Sequence, residues 1–523
     1  MGLSTVLSRA QLGIEAPLIS IETHLGPGLP CFSMVGLPET VVREARDRVK
    51  SALQNSGFKF PRSRVTVNLA PAELPKEGGR FDLGIALGIL IASRQLPLRT
   101  LERFEILGEL GLGGDIRRVR GALSAAIAAR EHGHGLIVPQ EDCLEARLIH
   151  DLDVVPARNL KELADWLKQP REDNPATGAP KTETAEQSEV ARLVAKTHES
   201  IEAVPEQDLI RGQEAAKRAL MVAAAGGHHV LMKGPPGSGK TMLARYLALL
   251  LPPPTQAEAL SSIQIHSAAG YADAAMLLRR RPLREPHHSA SSAAMVGGGR
   301  PIRPGEISLA HNGLLFLDEL PEFNRQVLEN LREPLESGEI VVSRVGQRLR
   351  FPARFQLVAA MNPCPVGRSC TPLNCLCSEA QLRRYRARLS APLLDRIDMH
   401  VLVPALPHSV LLQQSGSATQ SLTAYRKWAD DQRRDVQTAV HRQWEQRGKL
   451  NRDLDSGELA LYCGLAKTEH RLLLQAADRF ELSARGCHRV LRVARTIADL
   501  AGEARIGTSH LTEALSYRAA STM

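Results

Sequence analysis

The sequence is poor in aromatic residues and has no long apolar run. Phe, Trp and Tyr make up 4% of its 523 residues, which argues against a base-stacking platform of many rings for nucleic acid. No apolar run reaches about 18 residues, so we expect no membrane span. The N-terminus also lacks the basic and then apolar layout of a secretory signal. These absences predict a cytoplasmic protein with no membrane partner.

Cysteine is sparse, and acidic residues are outnumbered. The eight cysteines are spread too thinly for a disulfide framework, which fits a reducing cytoplasm. The 66 Lys and Arg residues against 57 Asp and Glu residues give a formal net charge of +9. This charge permits nucleic-acid binding through phosphate contacts. With so few rings, Arg and Lys contacts to the backbone are the expected mode.

The chain is too long for one hydrophobic core and suggests about three domains. Residues 169–195 are rich in Pro, Glu, Asp, Thr, Ser and Lys, which predicts a flexible linker. We therefore divide the chain into an N-terminal domain at 1–168, a core at 196–404 and a helical region at 405–523. The first domain is expected to be α/β or α+β, because short apolar runs alternate with helical segments. The strands are predicted at 32–35 and 65–69, and the helices at 39–54 and 121–132.

The motif G-x-x-x-x-G-K-[ST] is the most specific feature of the sequence. An apolar stretch at 228–233, typical of a buried strand, precedes it, and helical apolar spacing at 241–250 follows. A strand, a glycine-rich turn and a helix would direct backbone N–H groups and the helix dipole at phosphates. Lys240 would reach the β- and γ-phosphates, and Thr241 would bind Mg²⁺. The predicted ATP-binding residues are Gly234, Pro235, Pro236, Gly237, Ser238, Gly239, Lys240, Thr241 and Asp318.

Two further apolar stretches end in polar residues suited to the same chemistry. The stretch at 313–317 is typical of a buried parallel strand and is followed by Asp318 and Glu319. Asp318 would be a second Mg²⁺ ligand, and Glu319 would orient or deprotonate the attacking water. The stretch at 355–361 ends at Asn362, whose amide would touch the γ-phosphate or the water.

Helical patterns replace strand patterns after about residue 405. They cover 432–447 and 469–500. A helical lid after an α/β nucleotide core is the layout of AAA+ ATPases. In that layout, Arg396 would enter a neighbouring subunit's site as an arginine finger. Arg485 would reach the γ-phosphate from the lid.

Six long motifs are spread over almost the whole chain. They are Val35–Glu39, Pro286–Ser289, Gly297–Pro301, Pro304–His311, Ser483–Arg485 and Arg489–Leu500. With them the chain resembles the ComM/YifB family of magnesium-chelatase-like AAA+ proteins. The resemblance implies an ATP-driven homo-hexameric ring that uses Mg²⁺. Because ComM members migrate DNA branches during natural transformation, it also implies single-stranded and branched DNA as partners.

The resemblance further implies two insertions in the core. One would fall within residues 262–305, and the other is a hairpin at 339–351. In a ring such hairpins would point into the central channel, where Arg344, Arg348 and Arg350 would contact the DNA backbone. A solvated basic hairpin is the alternative.

The N-terminal domain resembles the Lon-protease/ribosomal-S5-like fold around residues 74–78 and 108–110. Residues 80–82 stand where Lon has its nucleophilic Ser, and Leu123 stands where Lon has its Lys. Without a nucleophile and an activating base there is no covalent catalysis. We therefore expect a non-proteolytic domain for binding or ring assembly.

One short segment of the core holds half of the cysteines. Four thiolates suit a structural Zn²⁺, and a reduced loop with incidental cysteines is the alternative. The pair His287 and His288 has no matching ligands nearby in the sequence and is predicted to be structural. The four candidate zinc ligands are Cys364, Cys370, Cys375 and Cys377.

Three functions remain open on this reasoning. The favoured one is a DNA motor for branch migration in recombination, because of the basic hairpin and the positive net charge. The second is a chelatase- or MoxR-like AAA+ ATPase that remodels a protein partner. The third is an assembly module with regulatory ATP binding. The ATPase rate with and without branched DNA would distinguish them.

Overall fold

A computed structural model describes most of the chain. The described residues are 2–36, 39–74, 76, 78–97, 101–169, 210–271, 274–299, 302–344, 347–366, 375–407 and 418–519. Within them the chain is a mixed α/β fold with one seven-stranded and one five-stranded sheet. None of the described helices is long and apolar enough to span a bilayer. The predicted linker at 169–195 lies outside the described residues except for Gln169.

The N-terminal part is built on the seven-stranded sheet. The described strands of the N-terminal part, seven in this sheet and two outside it, are β1 (Gly2–Arg9), β2 (Leu18–Gly26), β3 (Cys31–Val35), β4 (Arg64–Ala70), β5 (Phe104–Ile106), β6 (Glu109–Leu110), β7 (Ile116–Arg117), β8 (Gly135–Pro139) and β9 (Val154–Ala157). The sheet order is β3-β4-β2-β1-β5-β8-β9, with β6 and β7 forming a separate hairpin. β2 is antiparallel to β1 and β4, whereas the other neighbours are parallel.

Among the described residues of this part, five helices pack around the sheet. They are α1 (Glu39–Asn55), α2 (Asp82–Ala92), α3 (Ala122–Glu131), α4 (Cys143–Ala146) and α5 (Leu160–Lys168). All eleven residues of α2 are buried, as its apolar sequence requires. Glycine lets α2 approach the sheet, because a β-carbon at Gly84 would lie 2.7 Å from the Ile21 side chain. The strands and helices predicted for this part are confirmed to within a few residues.

The second sheet has five parallel strands in the order β11-β14-β17-β10-β18. The described strands between residues 210 and 407, five in this sheet and four in two small hairpins, are β10 (Val230–Lys233), β11 (Leu283–Arg284), β12 (Gly297–Gly298), β13 (Arg303–Pro304), β14 (Leu314–Leu317), β15 (Glu339–Arg344), β16 (Gln347–Pro352), β17 (Gln356–Met361) and β18 (Met399–Leu402). Successive side chains of a strand enter opposite cores. Val230 and Met232 face one core, and Leu231 faces the other.

Ten helices accompany the second sheet in the part of the chain that the structure describes. They are α6 (Glu214–Gly226), α7 (Lys240–Leu250), α8 (Gln256–Ala269), α9 (Ala274–Leu277), α10 (Ser292–Val296), α11 (Glu306–Leu309), α12 (Arg325–Asn330), α13 (Arg332–Ser337), α14 (Glu379–Arg386) and α15 (Ala391–Leu394). The range 262–305, in which an insertion was predicted, contains β11. It also contains α9, α10 and the small hairpin of β12 and β13, and the insertion itself stays a prediction.

The C-terminal region is helical throughout its described part. Its helices are α16 (Ala418–Arg447), α17 (Ser456–Tyr462), α18 (Lys467–Arg479), α19 (Ala484–Ala501) and α20 (Thr508–Ala519). The pattern at 432–447 predicted only the second half of α16, because its first half is mostly polar. The pattern at 469–500 covers two helices, since Ser483 accepts the N–H of Gly486 and caps the start of α19.

The N-terminal part packs directly on the second part. Gln264 of α8 donates to the carbonyl of Ile14 over 2.9 Å. The adjacent Gly13 has φ +64°, and a β-carbon there would lie 3.3 Å from the ring of Phe351 in β16. The loop that holds residues 13 and 14 therefore touches both α8 and the hairpin of β15 and β16.

Candidate functional site

The carboxyl ends of three adjacent strands bring the predicted site residues together. Lys233 at the end of β10 pairs with Met361 at the end of β17. Leu317 at the end of β14 pairs with Ala359 of β17. The residues that follow these strands therefore meet at one edge of the sheet, which is where parallel α/β sheets bind ligands.

The glycine-rich loop after β10 folds into a turn that needs glycine for two reasons. Gly237 and Gly239 have φ of +78° and +89°, a region that residues with a side chain rarely adopt. Gly234 is crowded instead, because a β-carbon there would lie 2.2 Å from the carbonyl oxygen of Val403. The turn ends where α7 begins, so the N–H groups of the first helical turn are available to a phosphate.

Lys240 is the first residue of α7, and its side chain reaches back over this loop. Its ammonium donates to the carbonyls of Gly234 and Pro235, both over 2.9 Å, and to Asn362 Oδ1 over 3.3 Å. Burial lowers the pKa of Lys240, although the charges of Asp318 and Glu319 act in the opposite direction. The contact to Asn362 places the loop lysine beside the end of β17.

The loop also holds a buried hydroxyl whose hydrogen-bonding capacity is unused. Ser238 Oγ is inaccessible to solvent and has no hydrogen-bond partner among the described residues. A buried hydroxyl of this kind is costly unless a ligand or water satisfies it. Its place in the turn before α7 fits a phosphate oxygen as the acceptor.

Thr241 and Asp318 form an oxygen pair across the site. Thr241 Oγ1 donates to Asp318 Oδ2 over 3.1 Å, and the backbone N–H of Glu319 donates to Asp318 Oδ1 over 2.9 Å. A hydroxyl and a carboxylate at this spacing are the hard oxygen ligands that Mg²⁺ takes beside phosphates. The donor set therefore fits Mg²⁺.

Asn362 is fixed from two sides. Its side-chain oxygen accepts from Lys240, and its carbonyl accepts the Tyr385 hydroxyl over 3.3 Å. Burial raises the pKa of Tyr385 to about 12, so this hydroxyl stays a donor at neutral pH. Helix α14 thereby supports the end of β17.

Arg396 and Arg485 line one cleft of about 430 Å³. Arg396 donates to the Pro392 carbonyl over 2.6 Å and forms an ion pair with Glu336. Six arginines face three carboxylates along the cleft, so its charge suits an anion. The residues that line it include none from the glycine-rich loop, which is described in full. The lining arginines are Arg354, Arg396, Arg452, Arg485, Arg489 and Arg492.

The basic hairpin has one buried and one exposed face. Ile340 and Phe351 are buried, whereas Arg348 and Arg350 are exposed opposite Ser343 and Val341. Arg350 also lies 4.0 Å from Glu339 and is 71% exposed. Arg344 ends β15, and its side chain lies outside the part of the chain that the structure describes.

Three of the four predicted zinc ligands lie together. The Sγ atoms of Cys364, Cys375 and Cys377 are all within 4.8 Å of one another. Cys364 is buried just after the end of β17, and Cys377 precedes α14. Cys370 lies outside the described residues, so the fourth ligand stays a prediction.

Three family models, all of the magnesium-chelatase ChlI subunit, match successive parts of the chain. Family models described as "Magnesium chelatase, subunit ChlI", "Subunit ChlI of Mg-chelatase" and "Magnesium chelatase, subunit ChlI C-terminal" match residues 207–411, 21–142 and 429–518. The Competence protein ComM of Haemophilus influenzae is 46% identical over 519 residues, which cover 99% of this chain and 98% of that protein. The chain belongs to the ComM/YifB family.

Two further relatives are a YifB protein and a magnesium-chelatase subunit. The protein YifB of Salmonella typhimurium is 45% identical over 99% of this chain and 97% of its own length. The magnesium-chelatase 38 kDa subunit of Cereibacter sphaeroides is 29% identical over 174 residues, which are 29% of this chain and 51% of that subunit. Membership therefore extends over the whole ComM/YifB length, whereas the likeness to that 38 kDa subunit covers only a part of this chain.

Sequence reasoning missed one residue of the site in this ComM/YifB member. His288 was predicted to be structural, but its Nδ1 lies 3.4 Å from Glu319 Oε2. The sequence feature that could have indicated this contact is the position of His288 after β11. Strand β11 runs parallel to β14, and its Arg284 pairs with Leu315. Residues after either strand share one edge of the sheet.

Proposed function

We propose that this chain hydrolyses ATP and works as a hexameric ring that drives DNA branch migration in the cytoplasm. The meeting of five side chains at one sheet edge carries the ATPase part. Lys240 would bind the β- and γ-phosphates, Thr241 and Asp318 would hold Mg²⁺, and Glu319 would take a proton from the attacking water. Asn362 would orient that water or the γ-phosphate.

Two arginines outside the loop would complete a nucleotide site of the ring. Arg396 would act on the γ-phosphate of a neighbouring subunit, and Arg485 would contribute from the helical lid. Their shared cleft, with six arginines against three carboxylates, supports giving both residues the same phosphate as their target. An incoming phosphate would replace Glu336 as the partner of Arg396.

DNA is the substrate that the charge distribution favours. The net charge is +9, and Arg348 and Arg350 are exposed on the hairpin. With Arg344 they would contact the phosphates of single-stranded or branched DNA in the channel of the ring. The name of the Haemophilus relative, a competence protein, agrees with a role in natural transformation.

The proposal includes a domain plan. Residues 1–168 would be a Lon/S5-like domain, 169–195 a flexible linker, 196–404 the AAA+ core and 405–523 its lid. In the first domain, residues 80–82 and Leu123 would stand where Lon has its nucleophile and base, and all four are buried. This supports a domain that assembles the ring rather than one that cleaves peptides.

The decisive experiment measures ATP hydrolysis and branch migration on a four-way DNA junction. We expect the junction to raise the ATPase rate of the parent protein. The double variant Arg348→Ala/Arg350→Ala should keep the basal rate, lose the stimulation and leave junctions unresolved. The salt dependence of its DNA affinity should fall by roughly two units of slope. Arg383→Ala is the matched control, since Arg383 is 82% exposed and lies on α14.

The second candidate function is the remodelling of a protein partner. The family model described as "Magnesium chelatase, subunit ChlI" favours it, because that model matches residues 207–411, which contain the candidate site. An ATPase rate that no DNA changes would reject the DNA motor and favour this candidate.

We also propose that the cysteine cluster holds a structural Zn²⁺. Zinc bound to thiolates at about 2.3 Å in a tetrahedron keeps sulfur atoms about 3.8 Å apart. The described cluster, with all Sγ atoms within 4.8 Å of one another, is compatible with this spacing. The metal would tie the end of β17, and thus Asn362, to the start of α14.

Zinc analysis of the purified protein tests this site. About one zinc per chain is expected, and Cys364→Ser and Cys375→Ser should each lower it sharply. Cys487→Ser, outside the cluster, is the control. Loss of zinc in Cys370→Ser would identify the fourth ligand, whereas a parent protein free of zinc would leave the cluster as a reduced loop.

A further inference from the structure

The loop between β1 and β2 of the N-terminal part lies against the hairpin of β15 and β16. A β-carbon placed on Gly13 would lie 3.3 Å from Phe351 Cε1 and 3.4 Å from Leu349 Cδ1. The next residue, Ile14, packs against the core cluster that includes Ile340 and Phe351. The loop therefore reaches the apolar face of the hairpin from another part of the chain.

The side chains that the loop touches alternate along β16 with the exposed arginines. Leu349 and Phe351 point to one face of the strand and Arg348 and Arg350 to the other, because successive side chains of a strand point to opposite faces. Phe351 is fully buried, whereas both arginines are exposed. A shift of β16 away from the loop would therefore move both guanidinium groups with it.

Hydrogen bonds hold this loop in one conformation. The N–H of Leu12 donates to the carbonyl of Glu15 over 2.9 Å, and the N–H of Glu15 donates to the carbonyl of Leu12 over 3.0 Å. Gln264 of α8 donates to the carbonyl of Ile14 over 2.9 Å. A loop that is closed on itself and bound to α8 can support a neighbouring strand, whereas a mobile loop cannot.

A buried arginine holds the same loop from the side of the N-terminal part. Arg80 Nη1 donates to Gln11 Oε1 over 3.3 Å, and Gln11 Nε2 donates to the carbonyl of Gly13. Arg80 is only 7% exposed, and its Nε and Nη2 have no hydrogen-bond partner among the described residues. Burying a guanidinium group with so few hydrogen bonds is costly. This contact therefore adds little stability, and its effect is to fix the loop.

We propose that the loop of residues 11–15 positions the hairpin for DNA. Ile14 would hold the apolar face of β16 in one place, so that Arg348 and Arg350 present their guanidinium groups together to a phosphate backbone. The N-terminal part would then contribute to DNA binding, besides assembling the ring. The inference rests on the proposed DNA motor, in which the hairpin binds DNA.

Shortening the side chain of Ile14 tests this support. Ile14→Ala should weaken the binding of a fluorescent single-stranded oligonucleotide by about threefold or more and lower the DNA stimulation of the ATPase rate. Its affinity for a fluorescent ATP analogue should match the parent, because Ile14 lies outside the nucleotide site. Ile14→Val keeps most of the apolar contact and should restore most of the DNA affinity. Leu3→Ala is the matched control, since Leu3 is an apolar residue of β1 that is 70% exposed.

A combined variant separates positioning from a general loss of structure. If Ile14 acts through the two arginines, adding Ile14→Ala to Arg348→Ala/Arg350→Ala should not weaken DNA binding further. Independent effects would instead multiply. The salt dependence of DNA binding by Ile14→Ala should also fall towards that of the arginine variant. Melting temperatures would show that every variant is folded.

The outcomes that contradict this inference differ from those that contradict the DNA motor. DNA binding like the parent by Ile14→Ala, or effects that multiply in the combined variant, would overturn the role of the loop alone. A loss of affinity that Ile14→Val does not restore would also contradict a packing contact. If Arg348→Ala/Arg350→Ala binds DNA like the parent, the hairpin does not contact DNA, and the proposed function fails together with this inference.

Discussion

Thr241 Oγ1 donates a hydrogen bond to Asp318 Oδ2 over 3.1 Å, and this contact joins the first turn of α7 to the end of β14. The two oxygens come from elements that are 77 residues apart in the chain. Because Mg²⁺ prefers such oxygens, the contact marks where the metal of Mg·ATP would be held. This pair is thus the contact that most directly connects the fold to the proposed Mg²⁺ site.

The first prediction concerns this pair. Asp318→Asn keeps the shape of the side chain but removes its charge, so the Mg²⁺ concentration for half-maximal ATP hydrolysis should rise about tenfold or more. A magnesium titration of the ATPase rate measures it. Asp431→Asn, on the exposed face of α16, should leave the midpoint unchanged. An unchanged midpoint in Asp318→Asn would remove that residue from the metal site.

The second prediction separates binding from hydrolysis. Lys240→Ala removes the cation of the loop, so binding of a fluorescent ATP analogue should fall by at least about tenfold. Glu319→Gln should bind ATP like the parent and hydrolyse it about a hundredfold or more slowly, because only the water-activating group is lost. Turnover near the parent rate in Glu319→Gln would assign the water to another residue.

The sequence predicted those parts of the site that are continuous in the chain. The glycine-rich loop, Asp318 and Asn362 each follow a short apolar strand, and strands of one parallel sheet end at one edge. The contact between His288 and Glu319 escaped prediction, because β11 is only two residues long and gives no pattern of its own. The cleft shared by Arg396 and Arg485 depends on how the C-terminal helical region packs on the second sheet, which local sequence patterns do not contain.

The third prediction concerns stability in acid. His229 Nδ1 accepts the N–H of Leu357, and His311 Nδ1 accepts the N–H of Arg354, both over 3.0 Å. A nitrogen that accepts a hydrogen bond must be unprotonated, and burial lowers the pKa of both histidines to about 4. Their unfolded pKa is near 6.5, so the unfolded chain binds more protons between about pH 6.5 and 4. Stability is then complete above about pH 6.5 and falls as the pH drops towards 4.

Each histidine should contribute about 1 kcal/mol of lost stability per pH unit in this window. Asp82 and Asp142, whose pKa burial raises to about 6, act in the opposite direction, so the test compares slopes between variants. His311→Asn keeps an acceptor at the same position but cannot be protonated. Melting curves from pH 7 to 5 should show a shallower decline for it than for the parent or His441→Ala. Equal slopes would refute the role of His311.

The fourth prediction concerns the proposed contact between subunits. Arg396→Ala should bind ATP normally but lose most of its turnover, because its own site depends on the arginine of a neighbour. Lys240→Ala should be inactive for the opposite reason, since its arginine is intact and its loop is not. In a ring mixed from equal amounts, about a quarter of the interfaces pair an intact loop with an intact arginine, so a corresponding share of activity should return. Titrating one variant into the other measures this recovery, with each variant alone as the baseline. Normal turnover by purified Arg396→Ala, or no recovery in mixtures shown to exchange subunits, would mean that Arg396 does not act across the interface.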